Sequence, residues 1–243
     1  MARSVSPSVS AINRVSELHD ARGRLVRREW APLQIACELG INPDNEVEAQ
    51  RFASLHGLAP PVFEYDRGRR FMVMPFIEGI PLESDWIERP ARRKAMRELI
   101  TRLRSIDSSR LPTLDIGGRL GELHDRLERT AADRAALYRA QVDDCIAQMR
   151  ALSTSGTSLA SGTSLVHGDL TPENVLVRTD GSLCLIDWEY AHCGHPDEDL
   201  AGLAISTPGM EEWSLAPREF PIRINARQLL DTLWRELAAA VAE

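Results

Sequence analysis

The most constraining feature of this sequence is a stretch in its second half that combines apolar runs with a polar loop. LVHGDLTPENVLV occupies residues 165–177, and LCLIDWEY occupies residues 183–190. Between them, Asp180-Gly181 is a strong signal for a two-residue β-hairpin turn. The stretch therefore predicts a polar loop followed by a hairpin, whose second strand ends at the acidic residue Asp187.

A two-residue turn also fixes which residues of the hairpin lie opposite one another. Asn174 then faces Asp187, and Leu176 faces Leu185. Directly opposed residues have Cβ atoms about 4.5 to 5.5 Å apart. An amide oxygen and a carboxylate at that spacing can share one Mg²⁺ ion, because this ion prefers oxygen ligands. The hairpin register alone thus predicts a metal site made by Asn174 and Asp187.

Asp169 lies in the polar loop, and four residues separate it from Asn174. Phosphoryl transfer needs a group that orients the attacking hydroxyl, and it needs oxygen ligands for Mg²⁺. Asp169 is the candidate for the first role, and Asn174 with Asp187 for the second. Aspartate and asparagine in loops more often form turns and caps, and a histidine such as His167 more often packs. Few purely structural roles would require this combination of residues. The combination therefore predicts phosphoryl transfer from ATP to a hydroxyl.

HGDLTPENVL together with LIDWEYA resembles the aminoglycoside phosphotransferase and choline kinase superfamily, whose members are relatives of protein kinases and phosphorylate small hydroxyl compounds. The resemblance implies that Asp169 is the catalytic base and that Asn174 and Asp187 hold Mg²⁺. Asp199-Leu-Ala resembles a family segment that usually holds the catalytic loop, with a helix N-cap as the open alternative.

In the N-terminal half, the segment VSAINRV at residues 9–15 resembles the family's nucleotide loop. The resemblance implies that Ser10 and Asn13 take part in binding ATP. The usual form of this loop has two glycines, whereas Pro7 and Ser8 stand in their place here. Proline has no N–H with which to bind phosphate, so the sequence departs from the family pattern at this point.

The next segment, GRLVRR at residues 23–28, resembles the family strand whose basic residue contacts the α- and β-phosphates. We favour Arg28 over Arg27 because Arg28 shares a strand face with Val26. Glu46, in the following predicted helix, resembles the acidic partner of that basic residue. The alternatives are a solvent-facing arginine and an ordinary exposed helical glutamate.

FMVMPFIEG at residues 71–79 resembles the hinge between the two lobes of kinase-like proteins. The resemblance implies that the adenine base binds the Pro75 C=O, which proline retains, and the Ile77 N–H. The alternative is an apolar strand that simply ends at Glu-Gly.

The expected fold class is α+β, a two-lobed protein-kinase-like fold. Residues 1–77 form the small, β-rich nucleotide-binding lobe, with one helix from residue 43 to about 58. Residues 78–243 form the mainly helical catalytic and substrate lobe. Its helices are expected at the ranges 86–106, 120–151 and 226–242.

Composition narrows the remaining classes of protein. Lys and Arg number 29 against 36 for Asp and Glu, a net charge of −7 without like-charge blocks, which argues against nucleic-acid binding. Four scattered cysteines without CxxC spacing, and the lack of an apolar run of about 18 residues, favour a reduced, soluble, cytoplasmic protein without a membrane span. His192, Cys193 and His195 form a possible transition-metal cluster that lacks a fourth ligand nearby. The oligomeric state stays open.

The acceptor is expected to be a small alcohol, and LIDWEYA is closer to the choline, ethanolamine and thiamine kinase branch. A cationic alcohol is favoured because acidic groups and aromatic faces suit an ammonium or thiazolium. An aminoglycoside, also polycationic, satisfies the same electrostatic argument. A nucleotide-binding pseudoenzyme or regulatory module is the alternative from another class, given the missing glycines and the short tail after Asp199.

Overall fold

The chain divides into two units that do not follow a single cut in the sequence. The computed structural model describes residues 13–83, 85–154, 164–207 and 209–242. One unit contains Met1–Leu82 and Glu173–Tyr190, and the other contains Glu83–Pro172 and Ala191–Glu243. The hairpin of the second half thus belongs with the N-terminal unit. The lobe boundary expected between residues 77 and 78 stays a prediction.

Strands and helices are labelled in chain order. The strands are β1 Arg14–Asp20, β2 Gly23–Glu29, β3 Glu64–Asp66, β4 Phe71–Pro75, β5 Gly79–Pro81, β6 Ser164–Val166, β7 Val175–Arg178, β8 Leu183–Leu185 and β9 His192–Gly194. The helices are α1 Leu33–Leu39, α2 Pro43–Leu55, α3 Pro90–Ser105, α4 Ile116–Thr130, α5 Ala132–Ala136, α6 Arg139–Thr154, α7 Glu198–Ser206 and α8 Phe220–Ala242. Short 3₁₀ turns lie at Trp86–Glu88, Pro172–Asn174 and Glu211–Trp213.

The first unit is built on an antiparallel sheet with the strand order β1-β2-β4-β3. Leu25, Phe71 and Val73 form a buried apolar cluster in this sheet. Helix α2 begins at Pro43 and is capped by Asn42, whose side chain accepts a hydrogen bond from the backbone N–H two residues on. The structure adds α1, a seven-residue helix that the sequence analysis did not anticipate, which ends at Gly40 with φ of 71°.

The hairpin of β7 and β8 closes with three loop residues, not two. The Gly181 N–H donates to the Arg178 C=O at 2.9 Å, and the Arg178 N–H donates to the Ser182 C=O at 2.9 Å. Gly181 has φ of 83°, whereas the φ of Asp180 is not positive. A two-residue type I′ turn requires positive φ at both central residues, so the loop is Thr179 to Gly181.

This loop shifts the hairpin register by one residue. Val175 lies opposite Leu185, and Leu176 lies opposite Cys184. The expected pairings of Leu176 with Leu185 and of Asn174 with Asp187 are therefore wrong. The derivation of the metal site from the turn fails with them, because a one-residue shift reverses the side chains' faces.

The second unit is mainly helical, and the short strands β6 and β9 pair in an antiparallel way. The helix expected over residues 120–151 is interrupted at Ala131, whose φ of −150° and ψ of 75° separate α4 from α5 without glycine or proline. In α8, Ala226, Leu229, Leu230, Leu233 and Leu237 are buried, so the helix packs one apolar face against its neighbours α4, α6 and α7. Within the described ranges, no helix is long and apolar enough to cross a membrane. The expected α+β fold class, with a small antiparallel sheet followed by a helical region, is confirmed.

Candidate active site

In the first unit, the guanidinium of Arg28 is surrounded by three carboxylates. Its Nε lies 2.8 Å from Glu46 Oε1, and its Nη2 lies 2.7 Å from Asp187 Oδ1 and 2.9 Å from Glu189 Oε2. Arg28 is 7% exposed and Glu46 is fully buried. We call these four residues the arginine–carboxylate cluster. It joins strand β2, helix α2 and the segment after β8.

The alternation of β2 explains why Arg28 and not Arg27 enters this cluster. Successive side chains of a strand point to opposite faces. Arg27 lies on the other face, where its Cζ is 4.0 Å from the centroid of the Phe71 ring and its Nη2 is 2.9 Å from Glu29 Oε1. The expected ion pair between Arg28 and Glu46 is present. Their contact with the phosphates of ATP stays a prediction.

Burial and crowding raise the pKa values of two acids in the cluster. Burial raises the pKa of Glu46 to about 7, although Arg28 opposes the shift. Burial, and then the neighbouring charge of Asp187, raises the pKa of Glu189 to about 8. One guanidinium thus faces three crowded carboxylic groups, and the raised pKa values mean that bound protons neutralise part of their charge at neutral pH. A bound cation would favour the charged carboxylates and replace those protons.

Asn13 also contacts the arginine–carboxylate cluster. Its Nδ2 donates to Glu189 Oε2 at 2.7 Å, and its Oδ1 accepts from the Ala31 N–H at 3.2 Å. Asn13 therefore joins the start of β1 to the segment after β8. Its expected partner in nucleotide binding, Ser10, lies outside the described residues. Glu189 itself was part of the LIDWEYA motif but was not singled out, because nothing in a single sequence distinguishes it from a surface glutamate.

Mg²⁺ is the ion that the family resemblance implies beside ATP. Asn174 ends the 3₁₀ turn before β7, and its C=O accepts a hydrogen bond from the Ile186 N–H at 3.0 Å. Asp187 has φ of 68°, a left-handed conformation that aspartate adopts more readily than most residues. The amide and carboxylate oxygens of these two residues are ligands that suit Mg²⁺, and the crowded carboxylic groups of the cluster suit a cation. Their assignment as metal ligands stays a prediction.

The residues expected to form the hinge lie at the end of a sheet strand and just after it. Pro75 is the last residue of β4 and lies opposite Leu25. The next residue, Phe76, donates its N–H to the Arg24 C=O at 3.0 Å. Pro75 and Ile77 are both half-buried. Their role in binding adenine stays a prediction.

In the second unit, Asp199 holds the backbone of the loop that begins at His167 and contains Asp169, the loop expected to be catalytic. Its carboxylate accepts hydrogen bonds from the His167 N–H at 2.8 Å and from the Gly168 N–H at 3.0 Å. Gly168 has φ of 79°, which glycine adopts without strain. The N-cap of α7 is Asp197. Asp199 therefore makes the loop-holding contact that the resemblance implied, and the N-cap alternative is wrong.

His167 is fully buried, and its Nδ1 accepts a hydrogen bond from the Asp169 N–H at 3.3 Å. This contact matches the expected packing role of His167. Burial raises the pKa of Asp199, while His167 and the two backbone N–H donors oppose that shift. The loop is thus fixed by buried groups up to the residue that carries the expected catalytic carboxylate.

Arg227 of α8 contacts the same loop, and the sequence analysis did not identify it. It donates one hydrogen bond to the Gly168 C=O, and its Nη2 donates to Asp169 Oδ1 at 2.8 Å. Its Nε lies 3.0 Å from Asp231 Oδ1, one helical turn further on. The helical pattern of the tail predicted the helix, but local spacing cannot show which distant loop an arginine will meet.

The histidines of HCGH contact α7 and its first turn. His192 Nε2 lies 2.8 Å from Glu198 Oε2, and His195 Nδ1 accepts from the Asp197 N–H at 3.1 Å. Among the residues that the structure describes, His192, Cys193 and His195 do not form a group whose ligand atoms could share one ion. The geometry gives no support to a transition-metal cluster there.

Comparison with known proteins adds independent evidence on family and fold. A profile of the phosphotransferase enzyme family matches residues 7–240, whereas curated protein sequences give no match. A solved choline/ethanolamine kinase family protein from Mesorhizobium loti is 21% identical, with a TM-score of 0.75 over 100% of this chain and 81% of its own. Choline kinase LicA from Streptococcus pneumoniae is 18% identical, with a TM-score of 0.73 over 98% and 85%.

A third solved structure, the ternary complex of streptomycin, ATP and APH(2")-IIa, is 16% identical, with a TM-score of 0.61 over 100% of this chain and 90% of its own. At these identities the solved structures establish the kinase-like fold alone. The family profile, by contrast, covers nearly the whole chain. The expected superfamily and the expectation of an enzyme that transfers phosphoryl groups are confirmed. The chain is a member of the phosphotransferase enzyme family.

Proposed function

We propose that this phosphotransferase transfers the γ-phosphate of ATP to a hydroxyl of a small cationic alcohol of the choline, ethanolamine or thiamine type. The observation that carries the ATP part is the ion-paired arrangement of Arg28, Glu46 and Asp187, three residues far apart in sequence. A buried arginine held by a helical glutamate suits the phosphates of ATP.

The residues of the two units have different roles in this proposal. Asp169 accepts the proton of the acceptor hydroxyl and orients it for attack. Asn174 and Asp187 hold Mg²⁺, which neutralises charge on the phosphates when it is bound. Arg28 contacts the α- and β-phosphates, with Glu46 as its partner.

Four further residues are proposed to bind ATP. Ser10 and Asn13 contribute to nucleotide binding, and the backbone of Pro75 and Ile77 binds adenine. The Asn13 contact to Glu189 supports a place for Asn13 beside the arginine–carboxylate cluster. The cytoplasmic location of the enzyme is part of the same proposal.

Two observations support a small cationic acceptor. The two choline or ethanolamine kinase structures have higher TM-scores to this chain than the streptomycin complex has, which favours a small alcohol over an aminoglycoside. The chain also has a formal net charge of −7, which attracts cations at long range. An aminoglycoside is the second candidate acceptor, because APH(2")-IIa, with a TM-score of 0.61, is seen with streptomycin and ATP.

A substrate panel tests this function directly. Purified protein with Mg-ATP is given choline, ethanolamine, thiamine, streptomycin or the neutral alcohol glycerol, and ADP release and the phosphorylated product are measured. We expect kcat/KM for one of the three small cations to exceed that for glycerol by about tenfold or more, which corresponds to about 1.4 kcal/mol. Turnover of streptomycin alone would show that the acceptor is an aminoglycoside and not a small cationic alcohol. ATP-dependent thermal stabilisation without turnover of any alcohol would make the chain a nucleotide-binding module instead.

A further inference from the structure

The catalytic loop is held from two sides by side chains of different helices. Asp199 of α7 accepts the N–H groups of His167 and Gly168. Arg227 of α8 donates to the Gly168 C=O and to Asp169 Oδ1. Gly168 has no side chain to anchor it, so the orientation of the peptide before Asp169 depends on these external contacts.

Arg227 itself is held in place by its helix and by a neighbouring acid. Its side chain is 19% exposed, and α8 is fixed by an apolar face that includes the fully buried Leu233 and Leu237. Asp231 lies one turn further along, 3.0 Å from Arg227 Nε. Burial raises the pKa of Asp231, and the charge of Arg227 opposes that shift. Asp231 thus forms an ion pair with Arg227 on the Nε side of the guanidinium.

A guanidinium has several donors in a fixed plane, so it can bind a backbone carbonyl and a carboxylate at once. That double contact ties the Asp169 carboxylate to the peptide that precedes it. Displacement of a catalytic group by about 1 Å can cost about a hundredfold in rate. We propose that Arg227, oriented by Asp231, is a positioning residue for the catalytic base Asp169, an inference that rests on the proposed function.

The first experiment compares Arg227→Ala, Arg227→Lys and the control Arg129→Ala, which removes an exposed arginine from the neighbouring helix α4. Choline and ethanolamine are the acceptors, and kcat, the KM for ATP and Tm are measured for each variant. We expect Arg227→Ala to lower kcat by about a hundredfold with the KM for ATP changed by less than about threefold. Arg227→Lys restores kcat only in part, because an ammonium is a point charge without the planar fork. Arg129→Ala keeps the wild-type kcat.

Added guanidinium ion separates positioning from a merely structural brace. At millimolar concentrations it is expected to raise the kcat of Arg227→Ala by about tenfold or more, because it restores the missing hydrogen-bond donors. It is expected to leave Asp169→Asn unchanged, since that variant lacks the group to be positioned. The inference would be overturned if Arg227→Ala lost kcat in parallel with a fall in Tm and with a loss of ATP affinity of the same size. In that case added guanidinium would not restore kcat.

Asp231→Asn tests the second part of the proposal. Because Asp231 acts through Arg227, Asp231→Asn is expected to lower kcat by about tenfold in the wild-type background and to have no further effect in Arg227→Ala. Additive losses would contradict an orienting role for Asp231. If the wild type turns over but Arg227→Ala matches it, the inference fails while the proposed function stands. If the wild type turns over no alcohol, the proposed function fails, and the inference fails with it.

Discussion

Arg28 in the first unit and Arg227 in the second both contact an aspartate, but their surroundings differ. Arg28 is 7% exposed and faces three carboxylates, so side-chain charges dominate its environment. Arg227 contacts a backbone carbonyl as well as Asp169. The loop that Arg227 holds is also fixed by Asp199 through two backbone N–H groups.

The difference indicates two ways in which an enzyme prepares acidic groups. In the arginine–carboxylate cluster three acidic side chains crowd one guanidinium, and burial, followed by the charge of Asp187, raises the pKa of Glu189 to about 8. Such a cluster gains from a further cation. The loop that contains Asp169 is instead held by hydrogen bonds, which fix the position of its backbone. Replacement of an aspartate by asparagine should therefore have different consequences in the cluster and at this loop.

The largest expected effect comes from Asp187→Asn compared with Asp199→Asn. Asp187→Asn is expected to lower kcat/KM for ATP by about a thousandfold, because a charge of the proposed Mg²⁺ site is lost. Its Tm without nucleotide should not fall, since one of the three crowded carboxylates becomes neutral. Asp199→Asn should lower the free energy of unfolding by about 1 to 3 kcal/mol, because one acceptor of a buried N–H is lost.

Thermal and chemical unfolding of both variants, beside steady-state kinetics, checks this contrast. A fall in Tm for Asp187→Asn equal to that for Asp199→Asn would show that the two regions hold their acids in the same way.

The next effect separates the two neighbouring arginines of β2. Arg28→Ala leaves three carboxylates around an emptied position, and loss of one partner from a buried ion pair costs about 3 to 5 kcal/mol. Arg27→Ala removes a contact with the Phe71 ring and a half-exposed pair with Glu29, which is worth about 1 kcal/mol. Arg28→Ala should also raise the KM for ATP more than Arg27→Ala does.

Urea unfolding gives the stability difference, and ATP titration of the kinase reaction gives the KM. Equal effects of the two substitutions on both quantities would contradict the inward placement of Arg28. No effect of either on the KM for ATP would remove Arg28 from the nucleotide site.

The smallest effect concerns the hairpin loop that carries Asp187. Gly181 has φ of 83°, a conformation that costs other residues about 1 kcal/mol or somewhat more. Gly181→Ala is therefore expected to lower Tm by about 2 to 4 °C without a change of kcat. Gly181→Asn, the matched control, should cost less because asparagine tolerates the left-handed region. An unchanged Tm for Gly181→Ala would contradict the left-handed conformation of Gly181.

The sequence predicted the family of this chain better than its geometry. The role of Asp169, inferred from loop spacing, stays a prediction, whereas the pairing of Arg28 with Glu46 followed from strand alternation and family resemblance and is present. The hairpin register was wrong because Asp180-Gly181 can end a three-residue loop as well as form a two-residue turn, and only backbone dihedrals decide between them. Arg227 could not be found, because its partner is 58 residues away in the sequence and its contact depends on how α8 packs.

The central claim is that Asp169 is the base of an ATP-dependent phosphotransferase, and Asp169→Asn tests it most directly. Turnover of choline and ethanolamine with Mg-ATP is measured beside the Kd for ATP. The account predicts a kcat at least about a hundredfold below the wild type, with the Kd for ATP nearly unchanged because the proposed ATP contacts lie elsewhere in the chain. An Asp169→Asn variant that turns over at nearly the wild-type rate would contradict it.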